Sequence, residues 1–188
     1  GVDRWGKLFN RRQALALVSF TQSVRQQSVQ VADEDYGRAT TSYLALGLDR
    51  LADYNSMIST WVPNGEFVGH SFTRQALGMV WDYFELNPFS GATGDWTSAT
   101  NWILRALEHF SQVSSKPAVV NQCSATELPH PSDYFDAVFT DPPYYNSVPY
   151  ADLSDFFYVW LKRAVGGLYP DLFSTPLSPK KNEITEMA

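Results

Sequence analysis

The stretch "FDAVFTDPPYYNSVPYADLSDFFYVWLKR", residues 135–163, sets a short apolar run directly in front of an acid, two prolines and two aromatics. Two successive prolines fix two φ angles and remove two N–H donors, so the chain must leave any sheet or helix at Pro142-Pro143. The run before them reads as a buried strand ending at Asp141. Beyond them, Leu153, Phe156, Phe157, Trp160, Leu161 and Ala164 recur at helical spacing and form one broad face, ended by Gly166-Gly167. A carboxylate at a strand end, with two rings on a stiff loop beside it, suits a flat polar ligand.

Upstream, "AVVNQ" at 118–122 reads as a second buried strand and "CSATELPHPSD" at 123–133 as the connection between the two. The preceding hundred residues are predicted to be mostly helical. Asn10 with Gln13 gives a capping-box start, and Leu17, Thr21, Val24, Ser28 and Val31 follow at helical spacing up to the acidic break Asp33-Glu34-Asp35. A second helix is expected from about Tyr36, with Leu44, Leu48, Leu51, Ile58 and Val62 as its buried stripe and Pro63-Asn64-Gly65 as its stop. "FTRQALGMVWDYFE" at 72–85 echoes "FNRRQALALVSF" at 9–20 and reads as another capped helix start. "NPFSGATGDW" at 87–96 is turn-rich, and Trp102, Ala106, Phe110 and Val113 mark one more amphipathic face before Lys116-Pro117. The tail, with Pro170, Pro176 and Pro179, is irregular. The expected organisation is a helical region over 1–115, serving as an insert or recognition part, and an α/β part over 116–188.

A chain of 188 residues with 44% apolar residues can bury one core with a helical appendage. No segment reads as a membrane span or as a secretory leader, and the single cysteine, Cys123, excludes an internal disulfide framework, which points to the cytoplasm. Three scattered histidines and one cysteine offer no zinc-ligand spacing, so no metal site is expected. The net charge of −6 disfavours tight nucleic-acid binding by this chain alone, since such binding rests on cations neutralising phosphates. The pairs Arg11-Arg12, Lys162-Arg163 and Lys180-Lys181 read as solvated helix ends or loops.

Strand, connection, strand, then Asp-Pro-Pro-Tyr resembles the amino-methyltransferases, which move a methyl group from S-adenosylmethionine to an exocyclic amino group, most often of adenine in DNA. The run 123–163 is similar to a prokaryotic group of adenine-specific DNA methylases with an additional domain of unknown function. "WGKLFNRRQALAL" and "MVWDYFELNPFS" are similar to that group too, so the likeness covers most of the chain. It implies a partial Rossmann-like methyltransferase core beside the helical half, with DNA as partner and S-adenosylmethionine as cofactor. It also implies that Asp141, Pro142 and Tyr144 are catalytic. The Asp141 carboxylate and the Pro142 carbonyl would hold the two amino N–H groups, and Tyr144 would stack on a flipped base. Pro143 would keep the loop stiff, Tyr145 would form a second wall and Asn146 a polar edge contact. Cys123, Ser124 and Ala125 would lie near the adenine of the cofactor.

A Gly-rich loop after the first strand and an acid after the second are also needed in such a fold. "NPFSGATGD" at 87–95 imitates that loop, but only one helix and two strands fit between it and Asp141, so it reads as an inter-helix loop. The true counterpart is expected upstream of Gly1, leaving this chain as the C-terminal part of a catalytic domain and inactive by itself. Two other readings stand beside it. One is a non-catalytic helical recognition or interaction module that retains the loop as scaffold. The other keeps the chemistry and changes the acceptor to RNA, cytosine or a protein glutamine.

Overall fold

Asn10 opens the first long helix as its sequence implies. In a computed structural model that describes residues 2–113, 116–141 and 148–180, its side chain accepts hydrogen bonds from the backbone N–H of Arg12 and Gln13. The Gln13 side chain in turn accepts from the Asn10 N–H at 3.0 Å, which completes a capping box. Helix α1, Arg11–Gln30, follows a short 3₁₀ turn at Trp5–Leu8 and buries Gln13, Leu17, Thr21 and Val24 along one stripe. The acidic break then becomes the next helix start. Asp33 accepts from the Tyr36 N–H, and Glu34 and Asp35 occupy the first turn of α2, Glu34–Tyr54, where negative charge suits the N-terminal end of the helix dipole.

Helix α2 packs against α1, against α3 (Trp96–Ser111) and against α4 (Tyr150–Val165), and α4 also packs on α1. Phe156 of α4 is fully buried at the centre of this body. Its ring meets Trp5 edge-on at 6.1 Å, Phe9 stacked at 5.6 Å and Phe72 edge-on at 4.8 Å. Leu8, Leu17, Leu48, Leu51, Trp160 and Ala164 join the same cluster, so residues from both ends of the chain share one core. The only sheet among the described residues is a two-stranded antiparallel hairpin, β1 (Trp61–Val62) with β2 (Phe67–Val68), in register Trp61 to Val68. The fold is therefore mostly helical with one small sheet.

Four expectations are corrected. Helix α2 ends at Tyr54, well before Pro63-Asn64-Gly65, which instead turns the hairpin. Serine hydroxyls compete with the helix there: Ser56 Oγ accepts from the Ile58 N–H at 3.1 Å, and Ser59 Oγ from the Ser56 N–H at 3.3 Å. Residues 72–85 form no helix either. Gln75 takes a left-handed φ of 51°, and the segment is held by long-range anchors: the Phe84 N–H on the Ser59 carbonyl, and Glu85 on Arg12. In α3 the buried face is Ala99 with half-buried Trp96 and Ile103, while Trp102, Phe110 and Val113 point to solvent. That helix carries two apolar stripes, and the Asp95 cap together with the close approach of Gly47 selects the one that meets α2.

The fourth correction concerns the two strands expected at 118–122 and 136–140. Neither forms: both segments lack a ladder and lie exposed, with Val120 90% and Phe139 95% accessible. A strand is stabilised only by neighbours that take up its N–H and C=O groups, and no such neighbour stands beside these segments among the described residues. No Rossmann-like sheet is formed by the described residues. The boundary expected at 115/116 touches Ser114-Ser115, outside the described residues.

Candidate functional site

Asp141 is the one member of the predicted catalytic set within the described residues; it is exposed, in irregular backbone, at the end of the segment 136–141. Pro142, Pro143, Tyr144, Tyr145 and Asn146 lie outside them. The chain is described again from Val148, and α4 begins two residues later. Pro149 occupies its cap position without a side-chain cap, which leaves its carbonyl to accept from the Leu153 N–H at 3.0 Å. Anchoring is immediate, since Ala151 and Phe156 are buried.

Asp155, on the same turn, is almost wholly buried and binds the C-terminal tail. Its Oδ1 accepts from Ser178 Oγ at 2.6 Å and from the Ser178 N–H at 2.8 Å, and Lys180 Nζ lies 2.6 Å from its Oδ2. Burial works to raise the carboxyl pKa, but the hydrogen bonds from Lys180 and Ser178 outweigh it and hold the group below the usual range. The first turns of α4 are thus pinned to the body and to the tail.

The expected cofactor contacts are not assembled into a pocket. Cys123, Ser124 and Ala125 are exposed and belong to a local turn, in which Ser124 Oγ meets Thr126 Oγ1 at 2.7 Å and the Glu127 N–H donates to the Ser124 carbonyl. The glycines of 87–95 serve packing and turning. Gly94 has φ +89°, and a Cβ there would stand 2.6 Å from the Tyr54 ring; Gly91 has φ +72° and donates its N–H to Asp95 at 2.8 Å. Asp95 also caps α3 through the Ser98 N–H. Only Gly94 and Asp95 of this loop are buried, its glycines serve the turn into α3, and the described residues form no cradle for S-adenosylmethionine.

One polar constellation escaped the sequence reading. His70 Nδ1 stands 2.6 Å from Asp53 Oδ2, and its Nε2 2.8 Å from the Tyr54 hydroxyl. Beside it, Ser71 donates to the Asp53 carbonyl and shares hydrogen bonds with Ser56 and Ser59. The group ties the end of α2 to the strand-like segment after β2. Its members are scattered in sequence, and only the hairpin between them brings His70 back to Asp53, so no spacing could have announced it. Asp49, a single acid buried in α2 with Oδ1 unpartnered, is another feature that spacing did not announce, and burial pushes its carboxyl well above the usual range.

No protein-family model matches the chain, and no curated protein or solved structure matches it. No helix among the described residues is long and apolar enough to cross a membrane. Among them, no group of three His, Cys, Asp or Glu side chains is placed to hold a metal ion.

Proposed function

We propose that Asp141-Pro142-Pro143-Tyr144 is the target-base loop of an S-adenosylmethionine-dependent DNA amino-methyltransferase acting on a flipped adenine. The observation that carries this is the run 135–163: an apolar segment, the acid, the double proline, the aromatics and then a helix with one broad apolar face. Two structural features support it. Asp141 is accessible to a ligand, and α4 begins at Tyr150 with Ala151, Asp155 and Phe156 buried in its first turns. Val119, Val120, Val138 and Phe139, now exposed, are residues that a parallel sheet would bury on both faces, as the partial Rossmann-like core requires.

An exocyclic amino nitrogen is nearly planar because its lone pair is delocalised into the ring. Two acceptors that hold both N–H bonds favour a tetrahedral nitrogen with an available lone pair, and the Asp141 carboxylate and Pro142 carbonyl are the acceptors. Tyr144 stacks on the extruded base, contributing ~1–3 kcal/mol. Pro143 limits the ordering cost of the loop, while Tyr145 and Asn146 complete the base contacts. The methyl donor would have to be held by groups other than the described residues, and only the handling of the amino group is assigned to this chain.

A non-catalytic helical module is the second reading, favoured by the four-helix core and by the lack of any ladder over 116–141. Methyl transfer from S-adenosylmethionine to an adenine-containing duplex by the full-length protein separates the two. With the enzyme, Tyr144→Ala weakens duplex capture more than the chemical step and Tyr144→Phe is mild, because the ring supplies the stacking. No methyl transfer by the wild type supports the module.

A further inference from the structure

Three cationic residues line one cavity at the far end of α4. The cavity, of about 350 Å³, is lined by Val18, Thr21, Gln22 and Arg25 from α1 and by Lys162, Arg163 and Gly167 from the end of α4. None of these residues is acidic, in a chain whose acidic residues outnumber its lysines and arginines by 20 to 14. None of the three cations forms a salt bridge among the described residues: the acids there pair with Lys7, Arg12, His70 and Lys180. Arg163 donates to the Val159 carbonyl at 2.7 Å, and Lys162 to the Thr175 carbonyl. Lys162 Nζ also lies 6.0 Å from the Tyr158 ring, so both side chains rest on neutral partners beside the cavity and meet no carboxylate among the described residues.

We propose that this groove binds a backbone phosphate of duplex DNA. The α4 C-terminus brings about half a negative charge to the site, against three full positive charges, so the balance favours an oxyanion. Guanidinium forks and an ammonium provide the charge-assisted donors that phosphate oxygens take, and Gln22 adds a neutral donor at the rim. The choice of DNA rests on the function proposed above. Tyr150, where α4 leaves the candidate base loop, and Lys162 are twelve residues apart on one helix, a rise of ~18 Å. At ~3.4 Å per base step that is about five base pairs along a duplex. The groove would then grip the backbone to one side of the flipped base and set the register of the loop on the strand.

The test is fluorescence anisotropy of a short labelled duplex with the full-length protein, titrated between about 50 and 200 mM salt. Its variants are Arg25→Gln/Arg163→Gln, the charge-preserving Arg25→Lys/Arg163→Lys, and Gly167→Glu. Gly167 has open space at its Cβ position, so the last places a carboxylate at the rim without a clash. The Gln pair and Gly167→Glu should each weaken binding about tenfold or more and flatten the log–log salt slope by about one, the share of one phosphate contact. The Lys pair should keep both. Equal affinity and slope in all four proteins, or no duplex binding by the wild type, overturns the proposal, as does protection of the groove by inorganic phosphate with the duplex slope unchanged. Methyl transfer is measured separately in the full-length protein. Groove-dependent binding without transfer refutes the methyltransferase and keeps the groove, while transfer with an unaltered salt slope does the reverse.

Discussion

Asp49 and Asp155 are both buried acids, and their surroundings push them in opposite directions. Asp49 has an unpartnered oxygen, and burial raises its carboxyl pKa well above the usual 3.8. A group raised in the folded state gives its full stabilisation below the unfolded value and loses it as pH rises through the folded one. Asp49→Asn should therefore raise the melting temperature at pH 8, with the two melting curves converging toward acid. Asp155 has the reverse sign. Its lowered value means a contribution present above pH 3.8 and lost as pH falls below it. Lys180→Gln removes the strongest partner and should raise the midpoint of acid unfolding followed by circular dichroism; an unchanged midpoint would mean that the tail clamp contributes nothing. Neither acid could be told from an ordinary surface acid by spacing, since each sits one position from residues that read as polar helix face.

Helix α4 was the most legible element, because Phe156, Trp160 and Ala164 repeat at one period and Gly166-Gly167 stops it. Phe156→Ala should cost ~3–5 kcal/mol in denaturant unfolding, since the site is walled by rings and cannot collapse around a smaller side chain. The α1 cap was legible for a similar reason: Asn10 and Gln13 are three apart, and the reciprocal bonds follow from local geometry. Asn10→Ala should cost about 1 kcal/mol from the cap, plus its contacts with Glu85 and the Tyr83 hydroxyl. The segment 72–85 misled because its helix-like start is offset by tertiary anchors, the Phe84–Trp61 stack at 4.9 Å among them. Local capping chemistry repeats at 9–13 and 72–76 in sequence, but only the first copy completes a capping box, while the second is held by Phe72 packing on Phe156.

The helical half, the apolar face of α4 and the irregular tail follow from periodicity and punctuation, which are local properties of the chain. The expected sheet did not, because a strand is a statement about its neighbours and 116–141 has none among the described residues. The same holds for the candidate site: the proposed chemistry rests on the local run at Asp141 and the loop, whereas Cys123, Ser124 and Ala125 depended on a sheet edge that these residues do not form. Consistently, titration calorimetry should detect no micromolar binding of S-adenosylmethionine to this chain; tight binding would show that 87–95 or 123–125 can still build a pocket. The central claim is that Asp141 acts on an amino group as charge develops on nitrogen. Single-turnover methylation of an adenine-containing duplex by the full-length protein and its Asp141→Ala variant tests it most directly. Loss of an acceptor aimed at the transition state should slow transfer by about a hundred- to a thousandfold, or ~2.7–4 kcal/mol, with little change in cofactor affinity. Transfer by Asp141→Ala at the wild-type rate would contradict the claim.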